Sequence, residues 1–161
     1  MSVLDLVAVA ARWLLAGVFI YMGLSKALHP EDFLKLVNQY DLVSSPFLLN
    51  AIASALPWFE VFCGLLLLLG VAVRGAALML VAMLIPFTLA VIKRALAIAG
   101  AKSLAFCAVK FDCGCGNGEV FICHKIIENC LLILLAGWLL SGRGRPFSAR
   151  FALAGTRSKS A

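Results

Sequence analysis

Apolar residues run in four long blocks along this chain, separated by short polar stretches. The first, Leu6 to Leu24, is broken only by Arg12 and is long enough to cross a bilayer as a helix, which takes about 20 residues. Ala51 to Val73 is the second; it holds Pro57, Glu60 and Cys63 and stops at Arg74. Gly75 to Ile92 is the third, uncharged and with one proline, Pro86, before Lys93-Arg94. The fourth runs from about Val120 to Leu140, and its start carries His124, Lys125, Glu128 and Asn129, so its outer half is polar. Between the first two blocks, Leu28, Phe33, Leu36, Val37 and Tyr40 recur near helical spacing, bounded by His29-Pro30 and Ser44-Ser45-Pro46. That pattern predicts a short amphipathic helix at the membrane interface.

Composition turns this pattern into a solvent argument. With 63% of its 161 residues hydrophobic and 14% charged, the chain would leave large apolar patches in water, whereas a bilayer accepts them. The expected fold is all-α: an integral membrane four-helix bundle over residues 1–142, one domain by size, followed by a basic, disordered tail over 143–161. Met1 to Asp5 has no basic residue, and no small-residue cleavage site follows the first block, so that block reads as a retained helix and not as a signal peptide. The net charge of +6 does not point to nucleic acid, because the basic residues are scattered and Arg143, Arg145, Arg150, Arg157 and Lys159 all fall in the tail. Such a tail suits a cytoplasmic end touching anionic membrane lipid.

Candidate chemistry concentrates in the loop before the last span, where Cys107, Cys113, Cys115 and Cys123 fall within 17 residues. Glycines at 114, 116 and 118 let the backbone turn so that Cys113 and Cys115 can face a common point. A disulfide between residues two apart closes a small, strained ring, which suits exchange better than stapling. Cys123 falls near the amino end of the fourth span, where the helix dipole favours a thiolate, and His124 stands beside it. Cys130 lies on the same face but about 10 Å further along the axis, too far to pair with Cys123. It reads as a small buried hydrophobe, or as a relay toward something held in the membrane. Cys63 and Cys107 read as buried hydrophobes.

Charges inside the spans are the second signal, since an unpaired ion in hydrocarbon costs several kcal/mol. Glu60 and Arg12 differ in depth by roughly 10 Å and could reach each other, with Lys26 as an alternative partner for Glu60. Such a pair would lock the first two spans or serve ligand or proton handling. His124 and Glu128, four apart, could form an interfacial pair.

From Arg12 to about Trp138 the chain resembles the MauE branch of the DoxX-like membrane proteins. The matching stretches are Arg12-Trp-Leu-Leu-Ala-Gly17 with Phe19 and Gly23 through Lys26, then Phe33 with Tyr40, and Pro57-Trp-Phe-Glu60 with Gly64 and Arg74. Asp112-Cys113-Gly-Cys115-Gly corresponds to that branch's Asp-Cys-Gly-Cys signature. The resemblance implies a four-helix bundle with a redox-associated role, supporting disulfide formation or maturation of exported enzymes such as the methylamine dehydrogenase small subunit. Cys123, Cys130 and the longer stretch between Arg94 and Cys113 depart from the pattern.

The leading expectation is a thiol–disulfide oxidoreductase or redox assembly factor whose Cys113/Cys115 pair exchanges with a periplasmic thiol protein or enzyme subunit through a mixed disulfide. Cys123 would be the resolving or relay cysteine, assisted by His124. A quinone bound near Arg12, Glu60 and Cys130 would be the electron acceptor. Two alternatives remain: Cys113, Cys115, Cys123 and His124 could hold zinc or copper(I), or the loop could be a staple in a noncatalytic subunit.

Four spans put both termini on one side of the membrane. Placing them inside leaves seven Lys and Arg on each side, and the dense tail tips the orientation toward cytoplasmic termini in a bacterial inner membrane. On that basis the loop from Asp112 to Gly118 faces the periplasm. A membrane-impermeant thiol reagent should label Cys113 and Cys115 in reduced cells with an intact inner membrane; labelling only after that membrane is broken would overturn the topology.

Overall fold

The computed structural model describes residues 3–40, 45–112 and 118–141. The Cys113/Cys115 loop and the basic tail lie outside the described residues. Helix α1 spans Val3–Leu28, α2 Pro30–Gln39, α3 Pro46–Leu69 and α4 Val73–Lys102. A 3-10 turn at Phe106–Ala108 leads to the strands β1 Lys110–Asp112 and β2 Glu119–Phe121, and α5 covers Ile122–Leu140. Among the described residues, four of the five helices are long and apolar enough to cross a membrane. The protein is an all-α membrane bundle, with the amphipathic α2 between its first two spans.

Local chemistry accounts for most boundaries. Pro30 and Pro46 open α2 and α3 at positions where a missing N–H costs nothing. Gly70, with φ 71°, takes the left-handed conformation that closes α3. Helix α4 runs past the expected end of the third span at Ile92, through Lys93 and Arg94 to Lys102. Lysine and arginine stop a membrane span but are good helix formers, so the helix does not break at them. At 1.5 Å per residue its 30 residues reach about 45 Å, beyond the roughly 30 Å of hydrocarbon. Helix α5 begins at Ile122, because residues 119–121 are taken by β2.

Helices α1 and α3 pack most intimately. A Cβ added at Gly23 would lie 2.6 Å from the Pro57 carbonyl oxygen, and one added at Gly64 would lie 2.8 Å from Ile20 Cγ1. Small residues at such crossings let two backbones approach where water supplies no hydrophobic drive. Leu15, Ala16, Phe19, Cys63, Leu67, Leu80 and Leu132 belong to one buried layer. A second layer, of Met22, Tyr40, Val91, Ala95, Val109, Phe111 and Ile122, carries the core up to the hairpin. There β1 and β2 pair antiparallel, with Phe111 opposite Val120 and Asp112 opposite Glu119.

These contacts predict that Gly23→Ala and Gly64→Ala each destabilise the bundle by about 1–3 kcal/mol through overpacking. Gly17→Ala, with open space at its Cβ, should be neutral or stabilising by up to about 1 kcal/mol. Thermal unfolding in detergent checks this; equal melting of Gly23→Ala and Gly17→Ala would contradict the close crossing.

Candidate functional site

The buried charges form a pair between α1 and α3. Lys26 Nζ donates to both Glu60 oxygens, at 2.6 and 2.7 Å, with the two side chains only 4% and 7% exposed. The Phe33 and Phe87 rings flank the ammonium, their centroids 5.5 and 5.9 Å away. Sequence reasoning set Arg12 first as the partner of Glu60 and Lys26 second; Lys26 is the one in contact. The helices run antiparallel with Gly23 against Pro57 and Gly64 against Ile20, which sets Glu60 opposite residues near 20–24 of α1. Arg12 is also fully buried, but lies 14 residues, about 21 Å, back along α1 from Lys26.

The polar start of α5 folds inward. Lys125, 1% exposed, donates to Glu128 Oε2 at 3.0 Å, so Glu128 meets Lys125 and not the expected His124, which is exposed. The buried amine has the greater need of a carboxylate. Asn129 Nδ2 donates to Thr88 Oγ1 at 3.1 Å, and Thr88 Oγ1 donates to the Leu84 carbonyl at 2.7 Å, tying α5 to α4.

Two cysteine expectations need correction. Cys107 is not a buried hydrophobe: it is exposed and disulfide-bonded to Cys123, with Cα atoms 5.1 Å apart. Cys123, expected as the resolving or relay cysteine, is its partner, and as paired it offers no thiolate to a metal. Cys130 is exposed and not buried, because the inward stripe of α5 runs through Lys125, Asn129, Leu132 and Ala136. Cys63 is buried, as expected.

Sequence reasoning also missed Arg94, which it took for a stop signal. Its guanidinium donates to Gln39 Oε1 at 2.5 Å and lies over the Tyr40 and Phe111 rings, 5.3 and 5.1 Å from their centroids. One side chain of α4 thus gathers the end of α2 and the first strand of the hairpin. No spacing rule would have found it, since Gln39 and Arg94 are 55 residues apart.

These ties put the hairpin over a cleft of about 170 Å³ whose lining includes Lys26, His29, Asp32, Phe33, Asp112 and Gly118. Asp112 and Gly118 are the described residues that bound the 113–117 loop. A smaller cavity of about 30 Å³, room for a water or two, lies beside Glu60, Phe19, Met22 and Phe87. Among the described residues, no three His, Cys, Asp or Glu side chains converge as metal ligands.

Glu60→Ala strands the Lys26 ammonium in the bundle and should cost about 3–5 kcal/mol, whereas exposed Glu31→Ala should stay within about 0.5 kcal/mol. Replacing both partners, Lys26→Met with Glu60→Leu, should recover most of the loss. Melting curves in detergent decide; a Glu60→Ala protein as stable as Glu31→Ala would mean that the carboxylate sits in water.

Residues 4–142, nearly the whole of the described chain, match the family described as methylamine utilisation protein MauE. Neither the curated proteins nor the solved structures yielded a match. Four membrane-spanning helices with a cysteine-bearing hairpin before the last are thus the form that this family takes here, and the chain belongs to the MauE family.

Proposed function

We propose that this chain is a membrane thiol–disulfide exchange protein, acting in the maturation of an exported thiol protein or enzyme subunit through Cys113 and Cys115. Its membrane would be a bacterial inner membrane, with both termini cytoplasmic and the hairpin on the periplasmic side. The helix motifs around Arg12, Gly23 and Glu60 support kinship with the DoxX-like proteins. The observation that carries the reading is the mounting of the Cys-Gly-Cys loop. The strands that flank it are held by Arg94 against Phe111 and by the Ile122 N–H on the Val109 carbonyl, and the residues bounding the loop line a cleft roomy enough for a partner's side chain. Exchange chemistry needs such a mount, because the reacting sulfurs must be held still for an in-line attack while staying open to a second protein. A family described by methylamine utilisation is consistent with service to one exported enzyme system.

The reaction balances without further groups. A partner thiolate bonds to one sulfur of the Cys113–Cys115 disulfide, and the other sulfur leaves with the electron pair and takes a proton. The partner's second thiolate then attacks its own sulfur in the mixed disulfide, leaving the partner oxidised and Cys113 and Cys115 as a dithiol. Run backwards, the same steps reduce a partner disulfide.

Redox titration of the full chain in glutathione buffers, with alkylation and peptide mass mapping, tests the reading. The Cys113/Cys115 peptide should titrate well above the roughly −300 mV typical of structural bridges. In cells, Cys113→Ser or Cys115→Ser should accumulate a mixed disulfide with a partner. A pair that stays oxidised in strongly reducing buffer, or that never forms and holds stoichiometric metal, would refute thiol exchange.

A further inference from the structure

We propose that Cys107–Cys123 is a second thiol-exchange site, in which an incoming protein dithiol attacks Cys107 and Cys123 departs as the thiolate. The inference rests on the thiol-exchange reading only for the nature of its partner. Three observations carry it.

The two sulfurs differ in access. Cys107 is exposed, in a segment where residues 101–105, 107 and 108 are all exposed. Cys123 is half-buried and packs against the hairpin layer with Val120 and Ile126. An approaching thiolate therefore meets Cys107 first.

They differ also as leaving groups. Cys123 is the second residue of a 19-residue helix that has no side-chain cap at Phe121 and no acidic residue in its first turn. The amino end of such a helix favours negative charge on the Cys123 sulfur. Cys107, in a single 3-10 turn, has no comparable helix end. A leaving sulfur that carries charge more easily leaves faster.

Finally, the hairpin does not depend on the bond. Ile122 N–H donates to the Val109 carbonyl at 3.1 Å, β1 and β2 pair across three residues, and Val109, Phe111 and Ile122 are buried beneath Arg94 and α4. Opening the disulfide leaves those contacts in place, so it can cycle without unfolding its surroundings.

In the step itself, the incoming thiolate forms a bond to Cys107 Sγ as the Cys107–Cys123 bond breaks, and the electron pair passes to Cys123, which then takes a proton. The partner's second thiolate closes its own disulfide and expels Cys107. The partner loses two electrons and two protons; the Cys107/Cys123 pair gains them.

The test uses the full chain carrying Cys113→Ser and Cys115→Ser in lipid nanodiscs, with wild type in parallel, and reduced glutathione as the probe. After an acid quench and maleimide alkylation, peptide mapping should find glutathione on Cys107 and maleimide on Cys123. Reduction of the folded protein should run within about tenfold of the rate in denaturant, with helix content unchanged by circular dichroism. Reduction at least about a hundredfold slower when folded would make the bond a closed staple and overturn the proposal. Glutathione on Cys123, or loss of helix content on reduction, would do the same. If the Cys113/Cys115 peptide of wild type titrates while Cys107–Cys123 does not exchange, this proposal falls and the function proposed above stands; if neither exchanges, both fall.

Discussion

One ammonium held by both oxygens of one carboxylate, Lys26 on Glu60, joins α1 to α3 inside the bundle. Two such charges cannot sit apart in a medium without water, so wherever one helix goes the other must follow in register. The glycines make that register attainable. Gly23 and Gly64 let the backbones close to contact distance, and only at that spacing does the lysine amine reach the glutamate across the crossing. Phe33 from α2 and Phe87 from α4 then close over the cation, so four helices contribute to burying a single ion pair.

The same ammonium belongs to two spaces. On one side it lines the cleft beneath the hairpin, and on the other it lines the small cavity that reaches Phe19 and Leu84 in the bundle core. Lys26 thus stands between the cleft under the hairpin and the bundle interior. Above it, Arg94 does for the hairpin what Lys26 does for the bundle. Its flat guanidinium stacks on Tyr40 and Phe111 while donating to Gln39, a combination of ring contact and directed hydrogen bonding that lysine cannot reproduce. Because α4 runs past the hydrocarbon, Arg94 stands where both the amphipathic helix and the first strand can meet it. Reach from the membrane to the cysteine hairpin is a consequence of helix length.

Much of the architecture was written in the order of residues. Four apolar blocks, two prolines at helix starts, a glycine at a helix end and an amphipathic interlude are local facts, and helices in lipid are local objects whose hydrogen bonds close within themselves. Membership of the MauE family was legible for the same reason, since motif and spacing are properties of contiguous sequence. The pairing of Glu60 with Lys26, of Glu128 with Lys125, of Asn129 with Thr88 and of Cys107 with Cys123 was decided by tertiary structure. Each depends on where a side chain lands after helices have crossed, and a shift of one turn in register, about 5.4 Å, would exchange one partner for another. Hydropathy sees how apolar a segment is and says nothing of its depth or rotation; those follow from backbone contacts at Gly23 and Gly64 and from the absence of water to screen a misplaced charge.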